Sequence, residues 1–177
     1  MARGLIEDRS ELEALFDEFA QELATIGTSA QVVMVGGAWM LWHSRRMSTR
    51  DVDSGRPLDP GLESAVVKVA ERHGLSNKWL NDSAAAFWPL NADYDACKVV
   101  YQTPNLEVRT PDPGVMFVMK LYRANPQDRE DLVSLWPLCG FSDPEVAAAA
   151  FRSAYPHAPE DEYLADYIGD VAGDAAV

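Results

Sequence analysis

Gln31-Val32-Val33-Met34-Val35 is a short β-branched, apolar run, and Gly36-Gly37 breaks it at once. Such a run reads as a buried strand. Ala38 to Ser44, carrying Trp39, Met40, Leu41 and Trp42, reads as a helix, so strand and helix meet through two glycines. A polar, basic stretch from Arg45 to Arg50 follows. Asp51-Val52-Asp53 then reads as a second short strand, closed by Ser54-Gly55. This order confines the chain to the α/β class: a small mixed sheet flanked by helices, with a helical C-terminal part.

The remaining pattern fits that class. Leu12, Leu15, Phe16, Phe19, Leu23 and Ile26 recur at helical spacing, which predicts an amphipathic helix from Ser10 to Ile26. Ser10 with Glu13 matches a capping box. Pro60 to His73 is another helix, with Gly74 suited to its C-cap. Leu75 to Leu90 is mixed, with helix expected around Trp79 and over Ala84 to Phe87. Lys98-Val99-Val100-Tyr101 and Leu106-Glu107-Val108-Arg109 read as paired strands joined at Pro104-Asn105. Helices are expected from Pro113 to Ala124, from Pro126 to about Leu138, after Ser142-Asp143-Pro144, and from Asp161 to Ile168. Without repeats or a long linker, residues 1–168 read as a single domain and 169–177 as a frayed acidic tail.

Charge and cysteine usage narrow the function. Twenty-eight acids against fifteen bases give a net charge of −13, a field that opposes non-specific binding to nucleic acid. Much of the excess lies late, so a local basic patch near the front stays open. Cys97 and Cys139 lack metal-ligand spacing and read as small buried hydrophobes. No stretch has the length of a membrane span, and the N-terminus has no apolar signal core, so the expected location is the cytoplasm, without membrane association.

The chemistry centres on the glycines and the two acids. A strand turning into a helix through Gly36-Gly37 leaves backbone N–H groups unobstructed, and those donors suit a phosphate. Asp51 and Asp53 are two apart on a strand, so both carboxylates project from one face. Two hard oxygen ligands suit Mg²⁺ or Mn²⁺ completed by substrate phosphates. Together they describe a cradle for phosphoryl transfer. Separately, each half is common: a Gly-Gly turn, or a solvated Asp pair. A dinucleotide fingerprint needs further glycines where Trp39 and Met40 stand. His43, Arg45, Arg46 and Arg50 either line the mouth of the site or serve structure and surface ion pairs. Trp39, Trp42, Trp79, Trp88 and Trp136 read as packing, and Asn81-Asp82 as a helix cap.

This constellation resembles the DNA polymerase beta superfamily of minimal nucleotidyltransferases, whose signature is Gly-Ser or Gly-Gly, a short helix, then Asp-x-Asp. Thr49-Arg50-Asp51-Val52-Asp53 is similar to the AbiEii-type toxin nucleotidyltransferases. Gly74-Leu75-Ser76-Asn77-Lys78-Trp79-Leu80-Asn81-Asp82 resembles a segment of bacterial nucleotidyltransferase-like domains. So does Met119-Lys120-Leu121-Tyr122-Arg123 with Asp128-Arg129-Glu130-Asp131-Leu132. The resemblance spans Val32 to Leu138. It implies that Gly36, Gly37, Arg50 and Arg123 bind the nucleotide and that Asp51 and Asp53 hold the metal. It implies that Lys120 reaches a phosphate or reacting oxygen, with Asp128 and Asp131 behind it. Lys120 and Arg123 share a helix face, which equally fits a snorkelling surface pair. The Ser after the first Gly is absent, and Ser54 stands where an apolar residue is usual. A third carboxylate has one candidate, Glu107, which equally reads as a solvated strand residue.

Two functions follow as expectations. One is metal-dependent transfer of a nucleotidyl group from an NTP to an acceptor (RNA, protein or small molecule), in a toxin or defence setting with a cognate antitoxin or as a homo-oligomer. The other is a catalytically degenerate version of the fold that binds a nucleotide or a protein.

Overall fold

The computed structural model of the protein describes residues 4–177. The chain is α/β, and it packs as two compact units: Met1–Ala86 with Cys97–Pro111, and Phe87–Ala96 with Asp112–Val177.

The first unit holds a five-stranded mixed sheet. Its strands are β1 (Ala30–Val35), β2 (Val52–Ser54), β3 (Leu80–Asn81), β4 (Lys98–Gln102) and β5 (Leu106–Thr110), in the spatial order β3-β2-β1-β5-β4. The central strand β1 runs antiparallel to β2 and parallel to β5. β3 is parallel to β2, and β4 is antiparallel to β5. Strand side chains alternate between faces. Val32, Met34, Val52, Leu80, Leu106 and Val108 point to one side, where helix α1 (Arg9–Thr25) contributes Leu12, Leu15, Phe16, Phe19 and Leu23. Helix α3 (Glu63–His73) adds Ala65, Val66, Val69 and Ala70 to the same core. Trp79 lies in this core, not on a helix. Its indole donates to Val66 O at 3.0 Å and meets Phe19 edge-on, and the chain continues directly into β3.

Element ends follow local chemistry. α1 is capped by Asp8, whose carboxylate accepts from Glu11 N at 2.8 Å, two residues before the expected Ser10 cap. The earlier start brings Arg9 into the helix, where it pairs with Glu13. α3 ends on Gly74 at φ +63°, a left-handed C-cap as its sequence predicts. Helix α2 (Gly36–Trp42) starts on the glycines themselves.

The second unit is helical: α4 (Pro113–Arg123), α5 (Arg129–Leu135), α6 (Pro144–Ala154) and α7 (Leu164–Ala175). The expected frayed tail is mostly ordered helix. Leu164, Ile168 and Val171 are buried, so the apolar stripe carries α7 through the acidic residues to Ala175. Cys139 is partly buried and donates to Leu135 O, and burial pushes its thiol up to about 12. That suits the inert role its spacing suggests. No helix among the described residues is long and apolar enough to cross a membrane.

Candidate active site around the glycine turn

The antiparallel register of β1 and β2 places Val35 opposite Asp53. Asp53 therefore stands beside the point where β1 ends and α2 begins. Gly36 adopts φ +64°, a conformation L side chains rarely take. A Cβ at Gly36 would also lie 3.0 Å from Asp53 Oδ2. Two constraints thus demand glycine there, and one is the carboxylate itself. At Gly37 a Cβ would lie 2.6 Å from Thr49 Oγ1 and 2.8 Å from Arg46 Nη1, closer than real Cβ contacts allow. The turn is so tight because the Arg45–Arg50 stretch folds back over it.

The acids are held by neighbours on both sides. Thr49 forms a two-way backbone bridge with Ile6 (Ile6 N to Thr49 O 2.7 Å, Thr49 N to Ile6 O 2.9 Å), and its hydroxyl donates to Asp51 O at 3.1 Å. Val52 is fully buried, while Asp51 and Asp53 on either side of it are half-buried, the alternation expected of a strand edge. Ser54, where an apolar residue is usual, is also fully buried. Its hydroxyl donates to Arg56 O at 2.7 Å and accepts from Arg56 N and Val33 N. Hydrogen bonds fix the strand end where apolar packing was expected. Asn81 is the register partner of Asp53 on β3; its side chain bonds Lys78 O and Ser83 N, and Asp82 accepts from Leu58 N.

Glu107 does not join this pair. It sits on the same sheet face as Asp53 but opposite Gln31, whereas Asp53 sits opposite Val35. Four residues along a strand are about 13 Å, and two strand spacings add further separation across the sheet. One metal ion cannot bridge that gap. The Glu107 carboxylate instead accepts from Arg109 Nε at 2.6 Å and from Gln31 Nε2 at 3.4 Å. Arg109 occupies the row nearer the acids, opposite Val33. Among the described residues no group of three or more His, Cys, Asp or Glu is arranged to hold a metal ion. Asp51 and Asp53 flank the buried Val52, and the Asp53 carboxylate stands beside the Gly36 turn.

Arg50 is exposed on the loop before Asp51. His43 stacks on Trp39 at 3.9 Å, and its Nδ1 donates to Trp39 O at 2.8 Å. Burial holds its pKa below the usual histidine value, which suits packing better than anion binding. Thr49 heads the Thr49-Arg50-Asp51-Val52-Asp53 motif, but nothing in the sequence signals that its side chain packs on Gly37.

The other candidate residues lie in the second unit. Lys120 is 5% exposed, and its ammonium donates to Asp128 Oδ1 at 3.0 Å and Asp131 Oδ2 at 2.7 Å. It does not snorkel, although Arg123, at 59% side-chain exposure, does. Arg123 Nε lies 3.8 Å from Asp128 Oδ2, an oxygen that is buried without a hydrogen-bond partner.

No curated protein and no solved structure matches the chain. A family model does, over residues 10–137, a span that takes in the glycine turn, both acids and the Lys120–Asp131 segment. The chain therefore belongs to the family described as nucleotidyltransferase of unknown function (DUF6036).

Proposed function

We propose that the protein transfers a nucleotidyl group from an NTP to an acceptor hydroxyl, with Asp51 and Asp53 holding a divalent cation, Mg²⁺ or Mn²⁺. The observation that supports this is the Asp53 carboxylate lying 3.0 Å from the Cβ position of a left-handed Gly36. A glycine at this point keeps a side chain away from the carboxylate that would hold the metal. In the reaction the acceptor oxygen forms a bond to the α-phosphorus. The bond from that phosphorus to the bridging oxygen breaks, pyrophosphate leaves with the electron pair, and the hydroxyl proton passes to solvent. The bound cation supplies neutralisation of phosphate charge. Asp51 and Asp53 orient it, Gly36 keeps a side chain away from the Asp53 carboxylate, and Arg50 stands near the entrance.

The part in transfer that the resemblance gives Lys120 and Arg123 is a separate proposal. Lys120→Arg keeps the charge beside Asp128 and Asp131, so full activity with Arg would argue for a purely structural cation. A toxin-like role, with an antitoxin as partner, is the finer form of the reading and rests on the likeness of Thr49–Asp53 to AbiEii-type proteins. Growth arrest on expression of the wild type but not of Asp53→Asn is its expected result.

A second reading is a nucleotide-binding module without catalysis, favoured by the distance of Glu107 from the acid pair. Incubation with each α-labelled NTP, Mg²⁺ or Mn²⁺ and candidate acceptors separates the two. Transfer of label by the wild type and none by Asp53→Asn supports the enzyme. Nucleotide binding without transfer to any acceptor supports the module.

A further inference from the structure

The glycine turn has a second side chain of opposite charge. Asp53 stands at Gly36, and one residue on, the Arg46 guanidinium stands at Gly37, with Nη1 2.8 Å from the Cβ position. Consecutive Cα atoms are about 3.8 Å apart, so carboxylate and guanidinium face neighbouring backbone units of one turn.

The chain is folded to put Arg46 there. Two residues after α2, Ser44 takes a left-handed conformation at φ +56°, an unusual geometry for a residue other than glycine. Arg45 N then bonds back to Met40 O at 2.7 Å, which turns the chain towards the start of α2. Three residues after Arg46, the backbone is pinned again by the Thr49–Ile6 bridge. Arg46 is thus held between two fixed points while the residue itself stays exposed. Thr49 shares the Gly37 position, but its proton is engaged with Asp51 O. The charged donor at Gly37 is therefore the guanidinium.

We propose that Arg46 grips the β- and γ-phosphates of the nucleoside triphosphate whose metal ion is held by Asp51 and Asp53. The proposal rests on the nucleotidyl-transfer reading and names the part of the substrate this residue recognises. A metal–triphosphate chelate presents a cation flanked by anionic oxygens. A carboxylate and a guanidinium side by side complement that pattern. The planar fork of Arg suits phosphate oxygens, and positive charge is needed where the pyrophosphate departs. A nucleoside monophosphate, lacking those two groups, gains nothing from Arg46.

The test is calorimetric titration with Mg²⁺ and each of the four α,β-methylene NTP analogues and the four nucleoside monophosphates. The proteins are wild type, Arg46→Gln and Arg45→Gln, with thermal midpoints confirming that each is folded. Arg46→Gln is expected to weaken triphosphate binding about tenfold to a hundredfold, the range of a lost charge-assisted hydrogen bond. Monophosphate binding should be unchanged, and Arg45→Gln should stay within about threefold of wild type, as expected when only a general charge is lost. Equal triphosphate affinity in Arg46→Gln and wild type overturns the inference and leaves the nucleotidyl-transfer reading standing. Equal loss in Arg45→Gln does the same, because it reduces the effect to net charge. Absence of binding of every analogue to the wild type overturns both.

Discussion

Lys120→Met should destabilise the protein strongly, although a lysine three residues before an arginine on a helix looks like a surface pair. The ammonium is 5% exposed and lies within 3.0 Å of two carboxylates whose side chains are 7% and 8% exposed. Removing it leaves two negative groups facing each other away from water. Breaking a buried ion pair from one side costs about 3–5 kcal/mol, because the partner is left uncompensated. Arg123 offsets little, since it is mostly exposed and 3.8 Å away. For a chain of this size each kcal/mol shifts the midpoint by roughly 2–4 °C, so the loss should be roughly 6–20 °C. Thermal unfolding of Lys120→Met at neutral pH measures it. The triple variant Lys120→Met/Asp128→Asn/Asp131→Asn should recover most of the loss, since no buried charge remains. A Lys120→Met midpoint within about 2 °C of wild type, the behaviour of a surface lysine, would refute the reasoning.

Three further outcomes are expected. Gly36→Ala should cost about 1–2 kcal/mol for the left-handed backbone and also weaken metal binding by displacing Asp53. Gly74→Ala, at φ +63°, is the matched control, with similar strain and unchanged metal binding by calorimetry. Ser54→Ala should lower stability to urea by about 1–3 kcal/mol, because Val33 N and Arg56 N lose a buried acceptor; an unchanged midpoint would show that the hydroxyl is dispensable. Glu22, paired with Arg72 and Lys68 across α1 and α3, has its carboxyl held below the ordinary glutamate range by those two cations. Its contribution is present above the ordinary value of about 4.3 and is lost as pH falls through the lowered one. The midpoint difference between wild type and Glu22→Gln at neutral pH should therefore shrink in acid; a pH-independent difference would remove this account.

The sequence carried the elements whose signals are local. β1, the glycine break, the Asp51–Asp53 alternation and the Gly74 cap each depend on a few adjacent residues, and each lies where its pattern predicts. Trp79 was misplaced because β3 is only two residues long and exists through its pairing with β2. Glu107 shows a subtler limit. Alternation turned it away from its apolar neighbours Leu106 and Val108, but its face and row relative to Asp53 depend on a β1–β5 register that no local pattern encodes. Lys120 was ambiguous for a similar reason, since its burial depends on Asp128 and Asp131 returning from the next helix. Leu164 and Ile168 lie within the helix expected up to Ile168, and Val171, three residues on, extends their buried stripe past the point where a frayed end was expected.

The central claim is that Asp51 and Asp53, beside the Gly36 turn, hold a metal–nucleotide complex. Calorimetric titration of Mg²⁺ or Mn²⁺, with and without a non-hydrolysable NTP, tests it most directly in wild type and Asp51→Asn/Asp53→Asn. The wild type should bind the cation more tightly when nucleotide is present, and the double variant should lose that binding while keeping its fold. Equal cation binding by the two proteins in the presence of nucleotide would contradict the account.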